Sequence, residues 1–390
     1  MGRIGIYGGT FNPPHRGHML AAREAIERLS LDRLLLIPDA LPPHKGAEEV
    51  LDGETRLQLL RLSAADIPKA EVCDMELRRG GVSYTADTVA DLAKMYPTDE
   101  LVLLMGTDMF RSFPTWYHPE EICKKASLAV LYRSGKHWEE MRAQAEQLRL
   151  DLGAKVTFVE NDFIPLSSTE LRRMLVFGCG ESLMCPEAFR YVMDHGLYGV
   201  NRDRKNLSMG ELEAEVCRLL AEKRVAHVLG VSHTAVELAN RFGADPVDAQ
   251  RAGLLHDITK LLSPEQQLIL CREYGIVLDD FSKNNPKILH AITGAEAARR
   301  IFGENDRVCS AIRWHTTGKA GMNLLEKIIY TADYMEPNRS FDGVEELRRL
   351  AFTDLDAAVC LGIRMSAEVL RRDGRCVSPD SEAAIRQLSK

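Results

Sequence analysis

The feature that most constrains the fold is a change of rhythm about half-way along the 390 residues. Up to about residue 195, short apolar runs alternate with segments of helical period: RIGIYGG, a helix from about His18, RLLLIPD, GETRLQLLRLSAA, AEVCDMEL, TADTVADLAKMY, ELVLLMGTD, ASLAVLYR, KVTFVE and SSTELRRML. Short buried strands separated by helices predict a doubly wound parallel sheet, that is, an α/β domain. From about Leu212 onward the apolar residues recur at helical spacing, as in AEVCRLLAEKRVAHVLGVSHTAVELANRFG and NLLEKIIYTADYM, with no β-branched run bounded by turns. This half is predicted to be all-α. The polar stretch at residues 199–209 separates the two, and a chain of this length exceeds what one core usually holds. The expected domains are 1–200 and 205–390.

Composition narrows the function classes. A net charge of −7 gives no general electrostatic reason to bind nucleic acid or an anionic membrane, so anionic substrates would be held by local groups. The nine cysteines are odd in number and never spaced as CxxC, which favours reduced thiols in a cytoplasm. The opening MGRIGIYGG has no apolar signal core and runs such as LLLI are far too short to span a bilayer, so the expected location is cytoplasmic. Homo-oligomer formation stays open.

The strand IGIY ends on Gly8 and Gly9, Thr10 and Phe11 follow, and His15 and His18 stand three residues apart where the turn becomes a helix. That order puts backbone N–H groups and a positive helix end at the carboxyl edge of a parallel sheet, where α/β folds bind nucleotides. Two histidines spaced i, i+3 face the same way and can both donate to phosphate oxygens. A helix cap plus a surface histidine is the other reading. In the second half, His227, the LLHDITK pair His256 and Asp257, His290 in ILHAITG, His315 in AIRWHTTG and Asp333 in IIYTADYM all sit inside apolar helical segments. Burying so many polar groups without a partner is costly, and histidine with carboxylate is a common ligand set for divalent ions. His233, six residues after His227 on the same helix, is turned about 120° away and is expected to face solvent.

The stretch GGTFNPPHRGHM resembles the signature loop of nicotinate-mononucleotide adenylyltransferases, in the HxGH nucleotidyltransferase superfamily, and the likeness runs over roughly the first 200 residues. Further matches come in the family's order: PPHK, SYTADT, LLMGTDMFRSFPTWYHPEEI and PLSSTELRRML, with Leu166 and Leu171 where the family often has isoleucine. The resemblance implies transfer of AMP from ATP to nicotinate mononucleotide, giving nicotinate adenine dinucleotide and pyrophosphate, with Mg²⁺ carried on the ATP. The attacking phosphate is already ionised, so the chemistry reduces to alignment and charge stabilisation. By the same resemblance His15, His18 and Arg172 are catalytic, and Gly8, Gly9, Thr10, Phe11, Lys45, Thr85, Gly106, Asp108, Trp116, Ser168 and Thr169 bind the nucleotides. Trp116 is assigned to the pyridine ring, Asp108 to the ATP ribose, Ser168 to an N-cap or phosphate contact, and Arg172 to phosphate oxygens. Another acceptor such as phosphopantetheine stays open, since its enzymes share the HxGH and SSTxxR elements.

Over about 180 residues the second half resembles HD-domain phosphohydrolases, and most closely the symmetrical diadenosine tetraphosphate hydrolases. The resemblance implies two divalent ions, iron or manganese, that lower the pKa of a water for attack on phosphorus. It gives His227, His256, Asp257 and Asp333 to the first ion, and His290 and His315 to a second that shares Asp257. Lys260, taken as one helical turn beyond His256, and Arg339 are candidates for gripping the polyphosphate. The implied chain is bifunctional, with ATP, nicotinate mononucleotide and diadenosine tetraphosphate as its small-molecule partners. A metal-holding sensor that regulates the transferase, or a hydrolase for another phosphorylated nucleotide, is the alternative for the second half.

Overall fold

The computed structural model describes residues 2–41, 50–132, 138–162, 164, 166–200 and 202–389; Lys45, with His44 and His137, lies outside them. The chain divides into two compact units, one made of Met1–Arg172 with Gly180–Tyr198, the other of Arg173–Cys179 with Gly199–Lys390. The helix Ser168–Val176 therefore begins in the first unit and ends in the second.

In the first unit the strands are β1 (Arg3–Gly9), β2 (Arg33–Pro38), β3 (Ala70–Val72), β4 (Glu100–Gly106), β5 (Ala126–Tyr132) and β6 (Val156–Glu160). They form one sheet in the order β3-β2-β1-β4-β5-β6, and every pair is parallel. Successive residues of a strand point to opposite faces, and both faces are covered. Ile4, Ile6, Leu35, Leu103 and Met105 pack on one side; Leu34, Leu36, Val102 and Leu104 pack on the other. The AEVCDMEL run is a strand only over Ala70–Val72, and Met75–Arg79 is a helix. Asp74 stands at the helix N-cap position, where aspartate is favoured, and Met-Glu-Leu-Arg-Arg are all strong helix formers.

The strand order reverses between β1 and β4. The connections leaving those two strands run in opposite directions, which opens a crevice above their carboxyl ends.

The second unit is helical, with no strand among its described residues. Its long helices are Met209–Leu219, Glu222–Phe242, Pro246–Leu255, Pro264–Glu273, Leu289–Phe302, Asp306–Trp314, Leu324–Met335, Leu355–Arg372 and Pro379–Leu388. Side chains of Ser208, Asp245, Ser263, Asn305, Asn323 and Asp354 accept the first helical N–H groups, so the starts are written locally in the sequence. Val228, Val231, Ala235 and Leu238 form the buried stripe of the helix Glu222–Phe242, at the i, i+3, i+7, i+10 spacing the sequence displays. No helix among the described residues is long and apolar enough to cross a membrane.

Candidate functional sites

The first site is the crevice at the β1/β4 reversal. Gly8, next to last in β1, and Gly106, last in β4, are both exposed, and a Cβ placed on either would meet nothing within 4 Å. Neither has a positive φ, so neither glycine is required by its own backbone or packing. Their effect is an open edge that a ligand can approach closely.

The loop between β1 and the next helix is held by its carbonyl groups. Arg56, 1% exposed, donates from Nη1 to Thr10 O (3.0 Å) and to the Asp39 carboxylate (3.1 Å), and from Nη2 to Asp39 O (2.7 Å). Arg172 Nη1 donates to Asn12 O (2.7 Å), the Tyr198 hydroxyl to Asn12 Oδ1 (3.0 Å), and Ser168 Oγ to Pro13 O (2.8 Å). Thr10 Oγ1 donates to Asp39 Oδ2 (2.9 Å). The Phe11 ring is buried against Tyr7 and His18, so its side chain is core.

The helix starts at Arg16, two residues before the expected His18, because His15 is extended (φ −138°, ψ 170°) and its carbonyl already accepts from His18 N (2.9 Å) and Met19 N (3.2 Å). His15 is thus the N-cap residue. The two imidazoles lie against each other at a tilt of 34°, with centroids 3.8 Å apart. His18 Nδ1 accepts from His15 N (3.2 Å), which puts the proton of the neutral His18 ring on Nε2. His15 is 6% exposed and its Nδ1 has no hydrogen-bond partner. Burial pushes its pKa down to about 4, with Glu170 pulling the other way, so near neutral pH it is a neutral ring beside the helix N-terminus.

The remaining residues of this set fall around the same unit. Asp108 is exposed in the first turn after β4, and Thr85 opens the helix Thr85–Met95 and is half-buried. Trp116 is half-buried, 5.4 Å from the Phe113 ring, with Nε1 donating to Ser112 Oγ (3.2 Å). Thr169 accepts from Arg172 Nη2 (3.1 Å). One expectation changes. The N-cap is Ser167, not Ser168: Ser167 Oγ accepts from Glu170 N (3.2 Å) and Glu170 Oε2 accepts from Ser167 N (2.7 Å), the reciprocal box that a glutamate three residues on creates. Arg172 and Ser168, read as phosphate contacts, donate to the carbonyls of the loop that precedes His15.

The second site gathers side chains from five helices or their ends. His227 lies in the first turns of the helix Glu222–Phe242, His256 and His315 are the C-cap residues of Pro246–Leu255 and Asp306–Trp314, His290 opens Leu289–Phe302, and Asp333 is near the end of Leu324–Met335. Their Nε2 atoms converge in pairs, His227 to His256 at 3.3 Å and His290 to His315 at 3.2 Å. Asp257 divides its carboxylate between the pairs. Oδ2 is 3.8 Å from His227 Nε2 and 3.7 Å from His256 Nε2, while Oδ1 is 3.2 Å from His290 Nε2 and 3.7 Å from His315 Nε2. Asp333 Oδ1 is 3.2 Å from His227 Nε2.

The donor set fits divalent ions. His227, His256 and Asp333 offer ligand atoms within 4.8 Å of one another, and so do His256, Asp257 and His315. The Nδ1 atoms of His256 and His315 each face a carbonyl 2.7 Å away, Gly253 O and Ile312 O, so the protons sit on Nδ1 and the Nε2 lone pairs face His227 and His290 respectively. Lone pairs brought together in a buried place need a cation between them. Burial keeps His256 and His290 neutral, each with a pKa near 4; burial also works against the charge on Asp257 and Asp333, but their surroundings, with Lys260 beside Asp257 and Arg339 beside Asp333, hold both carboxyls below the usual carboxylate range.

Three cations rim this cluster: Arg224 Nη1 is 3.1 Å from Asp257 Oδ2, Arg339 Nη2 is 2.6 Å from Asp333 Oδ1, and Lys260 Nζ is 2.9 Å from His290 Nε2. Lys260 reaches the cluster along a tight turn and not along a helix, since the helix stops at Leu255 and Lys260 N bonds to Asp257 O (2.9 Å). His233 is exposed.

A cytidylyltransferase-like family model matches residues 6–174 and an HD domain model matches residues 224–338. A Geobacillus kaustophilus protein named "Probable nicotinate-nucleotide adenylyltransferase" is 36% identical over 200 residues, 51% of this chain and 87% of that relative. A Bacillus subtilis protein named "Bis(5'-nucleosyl)-tetraphosphatase, symmetrical" is 43% identical over 179 residues, 44% of this chain and 94% of that relative. The chain belongs to the nicotinate-nucleotide adenylyltransferase family in its first half and to the HD-domain family in its second. Among solved structures, a "predicted HD superfamily hydrolase involved in NAD metabolism" from Clostridium acetobutylicum is 37% identical, with a TM-score of 0.46 over 47% of this chain and 97% of that one.

Several residues of the adenylyltransferase and HD domains were not legible as site residues in the sequence: Asn12, Asp39, Arg56, Tyr198, Arg224 and Glu336. Tyr198 and Asn12 are 186 residues apart, and Glu336 meets His227 across 109. One local signal was present for Glu336. Gly230 lies inside a long helix one turn beyond His227, and a Cβ there would sit 2.5 Å from Glu336 Oε2.

Proposed function

We propose that the chain is a bifunctional enzyme whose adenylyltransferase domain makes nicotinate adenine dinucleotide from ATP and nicotinate mononucleotide, and whose HD domain splits diadenosine tetraphosphate into two ADP. The open glycine edge at the β1/β4 reversal, with His15 and His18 paired at the following helix N-terminus, carries the first activity. The Asp257 carboxylate shared between two histidine pairs carries the second.

In adenylyl transfer, Gly8 and Gly106 let the nucleotide lie close against the backbone, and the N-terminus of the helix Arg16–Arg28 faces its phosphates. His18 donates through Nε2–H to a phosphate oxygen, and that bond strengthens as charge builds on the departing pyrophosphate. Arg56, Arg172, Ser168 and Tyr198 fix the loop so that both imidazoles keep their direction. Trp116 stacks on the pyridine ring, with its indole edge anchored on Ser112.

In the HD domain, His227, His256, Asp257, His290, His315 and Asp333 would hold two divalent ions. When bound, such ions lower the pKa of a water and neutralise phosphate charge. The chain's own part is to draw in the polyphosphate with Arg224, Lys260 and Arg339 and to exclude bulk water by burying the histidines. Separating the products of purified protein given ATP with nicotinate mononucleotide, and given diadenosine tetraphosphate with and without chelator, tests both activities. The reading predicts nicotinate adenine dinucleotide in the first assay, and in the second ADP as sole product, lost on chelation. Phosphopantetheine accepted in place of the mononucleotide, or AMP with ATP as hydrolysis products, would overturn the respective half.

A further inference from the structure

The four histidines of the HD centre are not held alike. His256 and His315 are both C-cap residues, and each gives its Nδ1 proton to a neutral backbone carbonyl three residues earlier in its own helix. His227 has no such neighbour. Its Nδ1 faces a carboxylate, Glu336 Oε1, at 3.1 Å, and Glu336 is 1% exposed. The other oxygen of Glu336 is fully engaged, accepting from Asn338 N (2.7 Å) and Asn338 Nδ2 (2.9 Å). Gly230 leaves the space in which this carboxylate lies.

A buried anion accepting the Nδ1 proton makes the opposite nitrogen a stronger donor to a cation. On the other side of Asp257, His290 has the Lys260 ammonium as its near neighbour, 2.9 Å from Nε2. Arg224, Arg339 and Lys260 are each about one-third exposed and sit at the rim, where a phosphate chain can take them up, so none of the three separates the two positions as a sealed group does. Glu336 is sealed in and stays.

We propose that Glu336 is a positioning residue that makes the two metal positions unequal, so that the ion held by His227, His256 and Asp333 is bound firmly while the ion held by Asp257, His290 and His315 is bound weakly and exchanges. This rests on the reading of the cluster as a two-ion centre. It implies that the weak position is the one filled and emptied as substrate comes and goes, beside Lys260.

The test is titration of the full-length apoprotein with Mn²⁺ alone, followed by calorimetry and by elemental analysis after gel filtration. Wild type is expected to show two steps and to keep about one equivalent through the column. In Glu336→Gln the amide oxygen must serve the two Asn338 donors, which turns the NH₂ group toward His227 Nδ1 and forces the ring into the tautomer that cannot ligate through Nε2. The tight step should then weaken by about 10–100-fold while the weak step moves little. Glu336→Asp, which keeps the charge, should recover part of the loss. Gly230→Ala, which crowds Glu336 without touching its charge, should weaken the same step and carries the test if Glu336→Gln does not fold. Equal steps in wild type, or a tight step unchanged in both folded variants, would overturn the proposal. No Mn²⁺ bound by wild type would sink the two-ion reading itself.

Discussion

His15 and His18 are three residues apart, yet they have different work because one is sealed and the other is not. His18, with its proton on the outward nitrogen, is the group whose loss should be felt in the transition state. His18→Ala is expected to lower adenylyl transfer by 10²- to 10³-fold, about 2.7–4 kcal/mol, with little change in affinity for the mononucleotide; steady-state kinetics and mononucleotide binding check both halves of that statement. His15 should instead reveal itself through pH. Its ring takes a proton near 6.5 in the unfolded chain and only near 4 when folded, so between those values the unfolded state binds more protons and stability falls as pH falls. Urea unfolding of the α/β domain followed from pH 7 to pH 4 should show that slope, and His15→Gln should make it shallower, above all between about pH 6.5 and 5. A His15 ring signal that titrates near 6.5 in an NMR spectrum would contradict the burial described above.

At the scale of elements, the start of the helix Ser168–Val176 separates two neighbouring serines. Ser167→Ala removes a reciprocal cap and should cost about 0.5–2 kcal/mol, read as a lower melting temperature, while turnover of the remaining folded protein stays close to wild type. Ser168→Ala keeps the cap but frees Pro13 O, so it should act on adenylyl transfer more than on melting. The sequence made both sheet and helices readable because strand burial and helical spacing are local patterns: the LLLI of β2 and the i, i+3, i+7 stripe after His227 declare themselves within a few residues. The His15, His18, His256 and Asp257 positions were legible for the same reason, as fixed short spacings. What stayed hidden was the set of side chains that reach across the fold. Nothing near Tyr198 says that it will bond to Asn12, and Arg56 looks like an ordinary charged position in an amphipathic helix until the loops at Thr10 and Asp39 close over it. The Ser168 cap was misread because Ser167 offers the same chemistry one residue earlier, and only the reach of Glu170 decides between them.

For the molecule as a whole, the two activities should be separable by point substitution. Asp257 is 2% exposed and is the carboxylate shared by both histidine pairs, so Asp257→Asn should abolish hydrolysis of diadenosine tetraphosphate and lower metal content while the adenylyl transfer rate stays near wild type. His233→Ala, at an exposed position, should change neither, and elemental analysis beside product separation tests both variants. Cutting the chain is expected to be less clean. Tyr274, buried in the helical unit, donates its hydroxyl to Phe177 O (2.8 Å), and a piece comprising 205–390 lacks that acceptor. An unsatisfied buried hydroxyl costs about 1–3 kcal/mol, so this piece should melt below the corresponding transition of the intact chain. The same excursion of residues 173–179 has a consequence for synthesis. Phe177 leaves the ribosome 97 residues ahead of Tyr274, and at about 5–20 residues per second that interval is about 5–20 s. Met174, Leu175 and Phe177, all buried in the finished protein, must wait that long for the unit to which they belong, so during that interval they are apolar surface a chaperone can bind.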